Sequence, residues 1–162
     1  IIEMKTGALF AAATDLSAYI SGVSPETRAA MNDFGMKLGA AYQIYDDCLD
    51  LVGSEDQFGK TLRTDLEKGK LTLPMLYLLE EAGDTQREIL QKRIIQQEEL
   101  DLTVLAGIAE YQGAIGRSLD YATALLREAS ESLSLLEESA YRQALSEMLN
   151  FLLKLLGTLQ KG

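Results

Sequence analysis

Apolar residues recur at intervals of three and four along most of the chain, the period of an α-helix with one face in a core. Between Pro25 and Val52 they fall at Met31, Phe34, Leu38, Ala41, Tyr42 and Tyr45, which predicts a long helix over about 25–52. An earlier helix is predicted from about Ile2 to Tyr19; "SGVSPE" (21–26) ends it, and Pro25 suits the first turn of the next. Residues 53–72, "GSEDQFGKTLRTDLEKGKLT", lose the periodicity and read as a loop. So long a loop in a compact helical domain is uncommon and often functional. A short helix is predicted over Leu73 to Glu81, and "AGD" (82–84) follows, with Asp84 as the N-cap of "TQREILQKRII". A helix from about Asp101 to Tyr111 precedes two amphipathic helices, "GAIGRSLDYATALLREASESLSLL" and "SAYRQALSEMLNFLLKLLGTL". The stripe Leu133, Leu136, Tyr141, Leu145, Leu149, Leu152 and Leu156 reads as core or subunit interface. No segment has the alternation of a strand, so the expected fold class is all-α, a helical bundle.

Composition narrows the chemistry. A chain of 162 residues, 47% hydrophobic and 25% charged, can bury a real core in a single domain over 1–162. Without histidine, serine–histidine and cysteine–histidine catalysis are excluded within this chain, and the commonest transition-metal ligand is missing. One cysteine, Cys48, cannot form an intrachain disulfide, which fits a reducing cytoplasm. No apolar run reaches the ~18 residues needed to cross a bilayer, and no basic-then-apolar leader marks a signal peptide. The formal net charge of −10 argues against a nucleic-acid partner. An anionic ligand would need local lysines, a metal ion, or both. The opening "IIEMKTGALFAAA" reads as helix interior without a cap, so the chain is expected to begin partway through a larger protein.

Against this background "YQIYDDCLDLVG" (42–53) stands out, with Asp46, Asp47 and Asp50 inside an apolar run. On a helix Asp46 and Asp50 lie on one face, a turn apart, while Asp47 is rotated by ~100°. Gln43 precedes Asp47 by one turn. Like charges at this spacing repel, burial makes each costlier, and the C-terminal end of a helix disfavours anions. A hard divalent cation such as Mg²⁺ would resolve the conflict, since it takes one or two carboxylates together with substrate phosphates and water. A solvated charged face is the other reading of the cluster. The neighbouring "GKTLRTDLEKGKLTLP" (59–74) weighs toward the first, because Lys60 and Lys70 each follow a glycine, and Asp65 could orient either lysine or a metal-bound water.

"GAAYQIYDDCLDLVGSEDQFGKTLRTDLEKGKLTLPMLYLL" resembles the C-terminal half of the trans-isoprenyl diphosphate synthases, the polyprenyl synthases. The aromatic-Gln-x-x-Asp-Asp-x-x-Asp run is similar to their second aspartate-rich motif. The GK…TDL…GK segment is similar to their lysine loop, and "MKTGALF" (4–10) to their upstream Lys-Thr motif. The resemblance implies an isoprenoid-synthase helical bundle, here an incomplete one. It implies that Lys5, Thr6, Gln43, Lys60 and Lys70 serve the allylic diphosphate, and that Asp46, Asp47 and Asp50 serve its Mg²⁺ ions. Lys5, Thr6, Gln43 and Lys60 are its candidate catalytic residues. The implied reaction is prenyl transfer: the allylic C–O bond ionises, diphosphate leaves with the electron pair, the double bond of isopentenyl diphosphate attacks, and a proton is lost. A homodimer is implied as well.

The family carries two aspartate-rich motifs and this sequence one; neither "TDLSA" nor "EELDL" supplies the other. The isolated chain is therefore expected to be inactive as a prenyltransferase, and product length is not readable from it. A noncatalytic diphosphate-binding or regulatory helical subunit is the alternative. A class I terpene cyclase is disfavoured, because "NDFGMKLGA" (32–40) has Met36 and Ala40 where the metal motif of those enzymes needs Ser and Glu.

Overall fold

The computed structural model describes residues 6–52, 65, 68–96, 98, 100 and 102–160. All regular structure among them is helical. In chain order the elements are α1 (Ala8–Ile20), α2 (Pro25–Val52), α3 (Leu73–Glu81), α4 (Asp84–Gln96), α5 (Leu102–Ile108), α6 (Gln112–Ser132), a 3₁₀ turn at Leu133–Leu135, and α7 (Ala140–Leu159). The all-α expectation holds. Among the described residues no helix is long and apolar enough to cross a membrane.

The chain divides into two compact units, one comprising Ile1–Tyr45 with Tyr121–Lys161 and the other Asp46–Asp120 with the terminal Gly162. In the first, α1 and α2 form an antiparallel hairpin. Ser21 and Gly22 close α1, their N–H groups donating to Ser17 O and Tyr19 O, and Gly22 takes the left-handed φ of 68° that this ending requires. Ser24 then caps α2: its hydroxyl accepts from Thr27 N at 3.1 Å, with Pro25 at the first helical position. The hairpin is fastened near the turn by a bidentate Arg28–Asp15 pair at 2.8 and 2.7 Å. Farther along, α1 and α2 touch backbone to backbone. A Cβ on Gly35 would stand 2.6 Å from Phe10 O and 2.8 Å from Ala11 Cα. A Cβ on Gly39 would stand 2.9 Å from Gly7 Cα and 3.0 Å from Thr6 O. Only glycine lets the helices approach this closely. Lys37 of α2 bridges Asp33 at 2.7 Å and Glu128 of α6 at 3.1 Å, and Ser132 also donates to Asp33. Phe34, Leu38, Ala41, Ile44, Leu126, Leu133, Leu149, Leu152 and Leu156 are buried here.

The second unit buries Cys48, Leu49, Leu51, Met75, Leu78, Leu90, Leu105 and Leu119. Arg87 of α4 folds back to donate to Leu79 O, Glu80 O and Ala82 O, which satisfies carbonyls at the end of α3. Arg117 lies over the Tyr77 ring at 4.0 Å and pairs with Glu80 and Glu81.

Several expected boundaries shift. The first helix runs to Ile20 and is entered through a π-helical turn at Thr6 and Gly7; residues 1–5 lie outside the described set. Asp84 is the first residue of α4 instead of its cap; the Gly83 carbonyl accepts Arg87 N, and the Asp84 carboxylate complements the helix's positive end from within the first turn. The helix expected to reach Tyr111 stops at Ile108, because Glu110 turns away to accept from Gln112 N at 2.6 Å and Gly113 N at 3.2 Å, capping α6. Tyr141, placed in the apolar stripe, is 85% exposed. It stands in the first turn of α7, just past the Ser139 cap, ahead of the stretch where the stripe meets the core at Leu149. Of the long expected loop, Asp65 and residues 68–72 are described; 53–64, 66 and 67 lie outside the described residues.

Candidate functional site

Two groups of the expected site residues are drawn together, one in each unit. In the first, the Thr6 hydroxyl donates to Gln43 Oε1 at 2.5 Å, joining positions 37 apart in sequence. The close glycine contacts between α1 and α2 make this possible, since Gly39 lies one turn before Gln43 on α2 and meets Gly7 and Thr6 of α1. With its oxygen accepting from Thr6, the Gln43 amide is oriented. Phe10 and Tyr42 stack alongside, ring centroids 6.3 Å apart. Lys5 lies outside the described residues.

In the second unit the last turns of α2 carry the carboxylates. Asp47 and Asp50 are buried, 6% and 7% exposed, and Asp46 is half-buried. The solvated-face reading therefore fails for Asp47 and Asp50. Two features brace them. Asp50 Oδ2 accepts the backbone N–H of Asp65 at 3.0 Å, which places Asp65 against the helix end. The Asp65 carboxylate in turn pairs with the Lys70 ammonium. That contact holds Lys70 above the ordinary lysine range, and Asp50 and Asp47 add to it through space. Of the two roles open to Asp65, orienting a lysine is the one seen. Lys60 lies outside the described residues.

Among the described residues no three Asp, Glu or Cys side chains stand close enough to enclose a metal ion by themselves. Asp46 and Asp47 leave the helix about 100° apart, so the protein offers carboxylates singly or in pairs. Such a donor set fits a hard cation that keeps water and takes its other oxygens from a bound phosphate, as Mg²⁺ does. Cys48, between these carboxylates, is fully buried, and burial with the nearby Asp47 charge pushes its thiol up to about 12. The buried Ser118 hydroxyl beside it works in the opposite direction. Cys48 is a packing residue and not a soft metal ligand.

The paired glycines Gly35 and Gly39 carry no charge or polar side chain, so nothing in their chemistry marks them in the sequence. Their signal is the G-x-x-x-G spacing in "FGMKLGAAY", a pattern that permits close helix approach.

Comparison with known proteins agrees with this architecture. The chain is 38% identical over 161 residues to a short chain isoprenyl diphosphate synthase of Methanothermobacter thermautotrophicus, covering 95% of this chain and 47% of that protein. Its structure matches a decaprenyl diphosphate synthase from Rhodobacter capsulatus with a TM-score of 0.83 at 28% identity, over 94% of this chain and 48% of that one. It also matches a polyprenyl synthase from Caulobacter crescentus, crystallised with calcium and isoprenyl diphosphate, with a TM-score of 0.80 at 31% identity, over 94% and 47% of the two chains. The chain thus spans about half the length of the curated relatives it matches. The family model described as polyprenyl synthetase matches residues 1–111, more than half of the chain. The all-helical fold and these matches lead to one conclusion: the chain belongs to the polyprenyl synthetase family.

Proposed function

We propose that these residues form the allylic-diphosphate side of a prenyltransferase that condenses an allylic diphosphate with isopentenyl diphosphate. The observation that carries this reading is the burial of Asp47 and Asp50 at the negative end of α2, where anions are disfavoured and a bound cation would be stabilising. Asp46, Asp47 and Asp50 would hold Mg²⁺. When bound, the cation supplies positive charge that neutralises diphosphate oxygens and favours C–O ionisation. The oriented Gln43 amide, held by Thr6, donates toward the diphosphate, and Lys5, Lys60 and Lys70 add point charges. The protein's contribution is positioning and fixed electrostatics, which suits a chain without histidine. The calcium and isoprenyl diphosphate of the Caulobacter relative support a divalent-metal, diphosphate-binding chemistry for this family. A homodimer and a cytoplasmic location belong to the same proposal. Since this sequence carries one aspartate-rich motif, the 162 residues alone bind but do not turn over.

Calorimetric titration with geranyl diphosphate tests this. Binding is expected in the presence of Mg²⁺ and lost on chelation, and Asp47→Ala should weaken it at least about ten-fold, the order expected when a charge-assisted ligand contact goes. Equal affinity with and without Mg²⁺, unchanged in Asp47→Ala, would sink the proposal.

A further inference from the structure

Carboxylates gathered at the negative end of a helix need a neutralising charge whether or not a metal is near. In this structure an ammonium, that of Lys70, stands near them through its contact with Asp65, which is itself bonded to Asp50. Asp65 donates its N–H to Asp50 Oδ2, Lys70 N–H returns to Asp65 O at 2.9 Å, and Thr72 N–H donates to Lys70 O at 3.0 Å. Gly69, with a left-handed φ of 62°, makes this reversal possible. The turn brings the Lys70 ammonium onto the Asp65 carboxylate, within the field of Asp50 and Asp47. Lys68 shares the turn and is exposed.

We propose that Lys70, held in place by Asp65, is the resident counter-cation of the carboxylate end of α2, and that a divalent cation binding there competes with its ammonium. The inference rests on the metal-site reading above and deepens it. Asp65 is then a positioning residue: its backbone N–H ties it to Asp50 and its side chain holds Lys70. Cation binding weakens the hold on Lys70 and frees its ammonium for an anionic ligand arriving with the metal. One lysine thus serves two partners in succession.

The test is titration of the whole chain with Mg²⁺ alone, in wild type, Lys70→Met, Lys68→Met, Asp47→Asn and Asp50→Asn. Lys70 is half-exposed, so its replacement does not threaten folding; Lys70→Gln serves as a second variant. Removing a competing unit charge at a partly exposed site should tighten Mg²⁺ binding roughly five-fold in Lys70→Met and Lys70→Gln. Lys68→Met, which removes the same charge without the contact, should change it less than about two-fold. Acetylation of the Lys70 amine, followed by mass spectrometry, should quicken when Mg²⁺ is added to wild type. Unchanged or weaker Mg²⁺ affinity in both Lys70 variants overturns the proposal, as does an equal effect of Lys68→Met. If Asp47→Asn and Asp50→Asn bind Mg²⁺ as well as wild type, or no variant binds it, the metal-site reading itself falls and this inference with it. That failure appears in the aspartate variants or in every protein, and so is distinct from failure of the lysine comparison alone.

Discussion

Gly35→Ala should lower the melting temperature by about 4–8 °C, the shift expected for roughly 2 kcal/mol in a chain of this size. The added methyl would collide with Thr14 Oγ1 and meet Phe10 O at 2.6 Å and Ala11 Cα at 2.8 Å. The threonine can rotate away, but the two backbone atoms cannot, so α1 must move off α2. Overpacking of this kind costs about 1–3 kcal/mol. The severity of these contacts places Gly35 at the upper end, and the roughly 1 kcal/mol that alanine gains over glycine in a helix offsets part of the loss. Gly116, within α6, is the control, because among the described residues nothing lies within 4 Å of the position its added methyl would take. Gly116→Ala should therefore stabilise the chain by about 0.5–1 kcal/mol. The same chemical change is expected to have opposite signs at the two sites, read by thermal denaturation followed by circular dichroism. If Gly35→Ala melts with the wild type, the close approach of the two helices contributes nothing.

Cys48 should resist alkylation in the folded protein by a factor of about a thousand relative to an ordinary thiol, before its complete burial is counted. The factor follows from a thiol raised from its ordinary 9.0 to about 12, since the reactive species is the thiolate. Native protein treated with iodoacetamide at mildly alkaline pH should keep an unmodified Cys48 by mass spectrometry, and denatured protein should label completely. The same shift sets a pH dependence of stability. Between about 9 and about 12 the unfolded chain has released the thiol proton and the folded chain retains it, so unfolding is favoured as pH rises. The slope is about 1.4 kcal/mol per pH unit. This contribution is fully present below pH 9.0 and lost by about 12. Rapid labelling of native protein would mean that the end of α2 opens readily.

The helices were legible because their apolar spacing is regular: α2 was expected over 25–52 and runs Pro25–Val52. Boundaries were less legible where a side chain from outside the periodic run decides them. Glu110 ends α5 by capping α6, and nothing in apolar spacing registers that choice. The carboxylate cluster announced itself through a conflict of charge and hydrophobicity, and its burial agrees. The Thr6–Gln43 bond was not legible from the residues themselves, since it joins distant positions and depends on glycines whose role is to be absent in bulk. Likewise, the loop spacing left Asp65 with two roles, and only the backbone bond to Asp50 fixed which lysine it meets.

The outward side of α1 has a consequence for how the molecule behaves in bulk solution. Leu9, Leu16 and Ile20, 69%, 56% and 75% exposed, recur along one helix flank. The formal charge of −10 makes copies of the chain repel one another at long range. That repulsion reaches about 8 Å in physiological salt but only about 3 Å in 1 M salt. Colloidal behaviour should therefore invert the usual effect of added electrolyte on a charged protein: sedimentation velocity should show larger species as salt increases, and Leu16→Glu should keep them small. The stickiness of this flank is, on this view, a property that ionic strength reveals instead of one it suppresses.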